Sequence, residues 1–180
     1  AAADGSVRNN ALTNPVEARL CALLVRSMAA SGVKSIAYIS PYRAQLRAIC
    51  ALLPHSIAQT VVGLTIDRAQ GRDFDCVVLS LVRSNRGGAI GPLLSDQRRL
   101  NVAFSRARCK LIVLGSASTL RSLDTLAKFV SLVDRSRWRL DLPPGAHRLY
   151  ALPQLPVAPA REEAAREATR PVTCSLFLFH

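Results

Sequence analysis

The sequence predicts an α/β fold in which a parallel sheet is flanked by helices, on three observations. Two runs, "CVVLSLV" (76–82) and "KLIVLG" (110–115), are apolar almost throughout, as strands buried on both faces of a parallel sheet are. Segments of helical periodicity with recognisable caps lie between the strand-like runs. The two kinds of segment alternate along the chain instead of clustering apart, which favours a parallel α/β sheet.

Taken in order, "TNPVEARLCALLVRSMAASG" opens a helix with Asn14 as N-cap, Pro15 at the first helical position and Glu17 three residues past the cap. Val16, Leu20, Leu23, Leu24 and Met28 follow at helical spacing, and Gly32 ends the element. "SIAYIS" (35–40) is a short strand. "PYRAQLRAICALLP" reads as a second helix, with Pro41 in its first turn and Pro54 beyond its end. "QTVVGLTI" and "CVVLSLV" are two further strands, and "SNRGGAIGPL" is a flexible surface loop without the spacing of a phosphate loop. "SDQRRLNVAFSRAR" is a helix capped by Ser95 or Asp96, and "KLIVLG" is the next strand. A helix over 119–133 follows, and "RWRLDLPPG" closes the domain. From about Tyr150 the chain turns rich in Pro, Ala and charge, as linkers do, with "REEAAREA" at best a marginal helix. The apolar "SLFLFH" at the end reads as a segment that docks on the domain or stays disordered. The expected organisation is a tail over 1–11, one domain over 12–148 and a second tail over 149–180.

Composition narrows the partner. The chain has 180 residues, 49% of them hydrophobic, and a formal net charge of +12. Such a chain can bury a core, so the excess charge lies on a folded surface and favours a polyanion. Five scattered cysteines without a CxxC pair read as reduced, mostly buried thiols, and neither metal ligands nor a disulfide framework are indicated. No run is long enough for a membrane helix. The first residues contain no Met, lack a signal-peptide core and run at once into a helix, which points to a late piece of a longer protein.

Three polar clusters follow strands or lead into one, and parallel sheets bind ligands at the carboxyl ends of their strands. The clusters are "ISPYRAQ", "TIDRAQGRDFDCVVLSLVRS" and "RRLNVAFSRARCKLIVLG". In order and spacing they closely resemble the fourth-, fifth- and sixth-type motifs of superfamily 1 helicases of the up-frameshift-like branch, and within it the helicase–nucleases of DNA replication and repair. The likeness covers roughly residues 12–148. It implies a RecA-like, P-loop-NTPase-type domain, the second of two in a motor that moves 5′ to 3′ on DNA.

The resemblance also implies roles. Arg106 in "FSRAR" matches the arginine finger, a rigid cation that stabilises charge on a transferring phosphoryl group. Gln70, Gly71 and Asp73 in "QGRD" match the segment lining the nucleotide; Gly71 allows close backbone approach and Asp73 can accept from ribose hydroxyls. Many relatives carry Glu there, so the shorter Asp leaves the reach of that contact open. Ser40, Pro41, Tyr42 and Thr65 match positions used on a nucleic-acid backbone, through a hydroxyl or a helix N-terminal amide. Tyr42 reads equally as a core tyrosine. Asp67, Arg83 and Arg99 form a polar network between the motifs, Arg99 on its nucleotide side, with Arg98 and Asn101 beside them. His55, His147 and His180 have no catalytic partners in the sequence.

The chain contains no GxxxxGK[ST] phosphate loop and no acidic pair in the metal-holding context. ATP with Mg2+ is therefore expected mainly on a preceding RecA-like domain of the same protein, and this chain alone is expected to hydrolyse nothing. The iron–sulfur cluster of the helicase–nucleases belongs to their nuclease domain, not to this chain. Expected partners are single-stranded DNA, the preceding domain, and replication or repair proteins, with no membrane. The expected compartment is the nucleus, with the mitochondrion as a second. Two alternatives stay open: an RNA-directed helicase of the same branch, and a nucleic-acid-binding module with a degenerate motor fold.

Overall fold

The structure is a computed structural model that describes residues 12–85, 88–149 and 174–179. The predicted N-terminal tail, the middle of the glycine-rich loop and most of the predicted C-terminal tail lie outside the described residues.

Helix α1 (Pro15–Ala30) begins where the sequence places it. The Asn14 side chain accepts a hydrogen bond from the Glu17 amide at 3.2 Å, and Pro15 sits where no amide is missed. Strand β1 (Ile36–Ser40) is followed by α2 (Arg43–Ala51), whose N-cap is Tyr42, so Pro41 precedes the helix instead of entering its first turn. A short α3 (His55–Ala58) leads to β2 (Val62–Thr65), α4 (Ile66–Ala69) and β3 (Phe74–Ser80). Then come α5 (Pro92–Ser95), α6 (Gln97–Phe104) and β4 (Ala107–Gly115).

The predicted single helix over 119–133 is two, α7 (Ala117–Leu120) and α8 (Asp124–Arg135). Serine hydroxyls compete with the helical ladder there: Ser116 caps α7 and Ser122 Oγ donates to the Thr119 carbonyl at 2.7 Å. Strand β5 (Arg139–Leu142), α9 (Ala146–Leu149) and β6 (Cys174–Phe179) complete the described elements.

The six strands lie in the order β2-β1-β3-β4-β6-β5. β2, β1, β3 and β4 run parallel, with Ser40 beside Thr65 and Ile39 beside Leu79. β6 is antiparallel to both β4 and β5, so the sheet is mixed where the sequence suggested a parallel one. Its residues come from the stretch set apart as a tail: the apolar end docks as a strand between two others.

Alternation along the central strands divides the core between the two faces. Val77, Leu79, Leu81, Leu111 and Val113 pack with Leu100 of α6, Leu126 and Val130 of α8, and Phe177 of β6. Val78, Ile112 and Leu114 pack with Ala18, Cys21 and Val25 of α1 and Ile49 of α2. Both faces are covered, which explains why β3 and β4 read as continuous apolar runs. Of the four cysteines whose side chains are described, all free, Cys21 and Cys76 are buried while Cys50 and Cys109 are exposed, a more even split than composition suggested.

Candidate functional site

The predicted residues gather at two edges of the sheet, not at one. The reason is topological. After Thr65 closes β2 at the carboxyl edge, α4 and residues 70–73 carry the chain back across a face, so "QGRD" ends at the amino edge of β3. Arg106 reaches the same edge because it immediately precedes β4, and its carbonyl accepts from the Phe74 amide at 2.9 Å. The expectation that all three clusters sit at carboxyl ends therefore holds only for the Ser40 and Thr65 ends. Seven residues of β3 separate the two edges by about 20 Å.

At the amino edge, Arg106 is held by its own surroundings. Its Nη1 donates to Asp73 Oδ1 at 3.1 Å and to the Arg72 carbonyl at 3.3 Å. Nε donates to the Val102 carbonyl at 2.9 Å, and Nη2 to Ser105 Oγ at 2.9 Å. A guanidinium carries five N–H groups, so one on Nη2 is left without an acceptor among the described residues. The side chain is 18% exposed against 47% for Asp73, a cation set in the surface with little freedom to swing. Gly71, at φ +74, would place a Cβ in open space, so the requirement for glycine there is conformational. Gln70, Gly71 and Asp73 are exposed, and the Arg72 guanidinium lies 5.4 Å over the Phe74 ring.

Arg99 does not join this group. It sits on α6, two residues past the helix start and more than a turn before its end at Phe104, where its Nε meets Asp67 at 3.0 Å and Asp96 at 3.7 Å. The Asp67–Arg99 half of the expected inter-motif network is thus present, and it fastens α6 to α4 one turn after Thr65. Arg98 and Asn101 are exposed beside it.

At the carboxyl edge, Ser40 and Thr65 are neighbours across β1 and β2. Ser40, Pro41 and Tyr42 are buried, and only Thr65 of the four candidates reaches solvent. Ser40 Oγ accepts from the Tyr42 amide at 3.4 Å, and no side chain caps α2. Arg83 leaves the expected network for Tyr42: its Nε donates to the Tyr42 hydroxyl at 3.1 Å, with the guanidinium 5.8 Å from the ring centre. On its other side the Arg83 Nη2 crowds Gly91, where a Cβ would stand 2.5 Å away.

Behind this edge lies a polar cluster that sequence reasoning missed. The buried Glu17 carboxylate accepts from Ser80 Oγ at 2.7 Å, the Val82 amide at 2.8 Å and Asn14 Nδ2 at 3.1 Å. Buried Gln45 donates to Ser80 Oγ and the Asn14 carbonyl, each at 3.1 Å, and accepts from the Asn14 amide at 2.8 Å. Burial pushes the Glu17 carboxyl up to about 7, against the pull of its hydrogen bonds from Ser80, Val82 and Leu81. Glu17 reads as a helix-capping residue in sequence. The available signal was its place four residues before Cys21, on the stripe that α1 buries.

The two described histidines stay apart from both edges. His55 pairs with Gln59, and His147 is half-buried on α9, its pKa lowered first by desolvation and then by Arg19 and Arg148; His180 lies outside the described residues. Among the described residues there is no group of three or more His, Cys, Asp or Glu able to hold a metal ion, and no helix long and apolar enough to cross a membrane.

A family model described as an AAA domain matches residues 2–118. The chain is 42% identical over 143 residues to the DNA replication ATP-dependent helicase/nuclease DNA2 of Mus musculus, covering 78% of this chain and 14% of that protein. The proteins of the same name from Homo sapiens and Saccharomyces cerevisiae are each 40% identical, over 78% and 71% of this chain and 13% and 8% of their own lengths. The chain thus spans a small fraction of these relatives. A solved phosphoethanolamine-type N-methyltransferase of Haemonchus contortus aligns at 13% identity over 69% of this chain and 29% of its own, with a TM-score of 0.39.

Proposed function

Given that the chain belongs to the AAA domain family, as a C-terminal domain of the superfamily 1 helicase kind, we propose that it is the second motor domain of an ATP-dependent 5′ to 3′ DNA helicase. The observation that carries this reading is the Arg106–Asp73 assembly at the amino edge. It presents a pre-oriented guanidinium with an unused donor beside an exposed "QGRD" turn.

ATP with Mg2+, held mainly by the preceding RecA-like domain, supplies the phosphoryl group whose cleavage powers movement. This chain's residues fit one flank of such a nucleotide. Arg106 offers the cation, and because Asp73, Val102, Arg72 and Ser105 already hold it, little ordering remains to be done on closure. Gly71 admits close approach of the Gln70–Arg72 backbone, and Asp73 keeps a second carboxylate oxygen for a ribose hydroxyl.

The carboxyl edge is the single-stranded DNA side. Thr65 offers its hydroxyl there. Ser40, Pro41 and Tyr42 act by seating the N-terminus of α2, whose amides no side chain caps and whose first residue, Arg43, is exposed. α6 and the α4–"QGRD" connection run between the edges, fastened by Asp67–Arg99 near one and Asp73–Arg106 near the other. A shift of either edge is passed along that pair of elements. A role in DNA replication fits the relatives' names, the nucleus is the compartment that role implies, and the preceding domain and replication proteins are the partners.

The test is phosphate release by the longer protein that carries this chain, with oligo-dT and with oligo-rU. Release stimulated by the DNA strand supports the reading. Equal or preferential stimulation by RNA favours the RNA-directed relative, and none with either favours a binding module.

A further inference from the structure

Strand β3 leaves the sheet through an unusual residue. Val82 is buried and adopts φ +70, a left-handed conformation that β-branched residues scarcely enter. Backbone held in such a state persists only when its surroundings over-determine it, and it marks functional edges. The surroundings here are specific. Glu17 Oε2 accepts from the Val82 amide, while Asn14 Nδ2 donates to the Val82 carbonyl at 3.1 Å and to Glu17 Oε1. The N-cap and first turn of α1 therefore grip both backbone polar groups of this one residue. The next residue is Arg83, which the turn delivers onto the Tyr42 ring and hydroxyl.

We propose that Glu17 is a positioning residue for the nucleic-acid edge: by clamping the left-handed turn at Val82 it sets Arg83 over Tyr42 at the entrance of α2, and so governs strand affinity without touching the strand. The inference rests on the carboxyl edge being the nucleic-acid side. When ionised, the carboxylate accepts from three donors at once, whereas an amide of the same shape has a single acceptor oxygen.

Protonation has a defined route. Around the carboxyl stand Asn14 and Cys21 of α1, Gln45 of α2, Ser80 of β3 and the Val82 amide. Among these groups Cys21 is the one that titrates, and burial pushes its thiol up, so it stays neutral. A proton on Oε2 can be accommodated by reversal of the Ser80 hydroxyl, but the Val82 amide then faces a weakly accepting hydroxyl oxygen. The clamp loosens as pH falls through about 7.

The test uses the full 180-residue chain, wild type against Glu17→Gln, with fluorescent oligo-dT as probe and amide exchange at Val82 as a local readout. Above pH 7, Glu17→Gln should bind oligo-dT about ten-fold more weakly, as loss of a charge-assisted hydrogen bond implies, and Val82 should exchange faster. The gap should close below pH 7, where the wild-type carboxyl is protonated as well. A second variant, Glu17→Gln with Val82→Gly, should recover part of the affinity, because glycine enters φ +70 without the strain that valine carries there. Equal affinity and an unchanged pH profile in Glu17→Gln, with wild type binding normally, would overturn the inference. Failure of the wild-type chain to bind oligo-dT at all would instead overturn the assignment of the edge.

Discussion

Burying the Glu17 carboxyl leaves a signature in stability that can be separated from any ligand. Its folded pKa is raised from 4.5 to about 7, first by desolvation. Between those values the folded chain binds a proton that the unfolded chain has released, so stability must fall as pH rises through this window and level off above it. The full size of the effect, with the residue only 1% exposed, is about 3 kcal/mol. Glu17→Gln has no proton to lose. In urea unfolding from pH 5 to pH 8, the wild type should therefore lose up to about 3 kcal/mol relative to Glu17→Gln, most of it below pH 7. A difference that stays constant across the range would refute the reasoning, since it would mean that the carboxyl ionises in the fold as it does in water.

Phe177 is fully buried and packs tilted on Phe129 with ring centres 5.7 Å apart, so Phe177→Ala should cost about 3–5 kcal/mol in urea unfolding if β6 is part of the core; a change under about 1 kcal/mol would detach that strand from the fold. Gly63→Ala puts a Cβ 2.5 Å from the Tyr38 ring on the neighbouring strand and should destabilise by about 1–3 kcal/mol, read in the same assay; a neutral result would mean that the ring can turn aside freely. The Asp67–Arg99 pair is 64% and 38% exposed, so a double-mutant cycle to Ala should show a coupling of less than about 1 kcal/mol, with any larger effect confined to ATP turnover.

Much of this was readable from residues. The Asn14 cap with Pro15, the two apolar runs that became β3 and β4, and the Asp96 cap of α6 stand where local chemistry put them. The superfamily 1 helicase resemblance and the RecA-like α/β class are borne out by the AAA domain match and the similarity to the helicase/nucleases. What was not legible depends on partners distant in sequence. Nothing local in "SLFLFH" specifies that it inserts antiparallel between β4 and β5. The span from Thr65 to Phe74 reads as a single cluster, yet its ends lie at opposite edges because the chain crosses a face between them. Arg83 pairs with Tyr42, 41 residues away, through a turn whose left-handed conformation no valine advertises. Glu17 satisfies a capping pattern in sequence, yet its carboxylate faces the end of β3, 63 to 65 residues away.

On the proposed motor function, Arg106 completes a nucleotide site provided by a neighbouring domain. The most direct measurement is single-turnover ATP hydrolysis on oligo-dT by the longer protein, wild type against Arg106→Ala, with nucleotide and oligonucleotide binding measured separately. Turnover should fall by about a thousand-fold or more, the range for loss of an arginine finger, with both ligands still bound. Turnover equal to wild type would contradict it, and would leave the Arg106–Asp73 pair as a clasp between α6 and the amino end of β3.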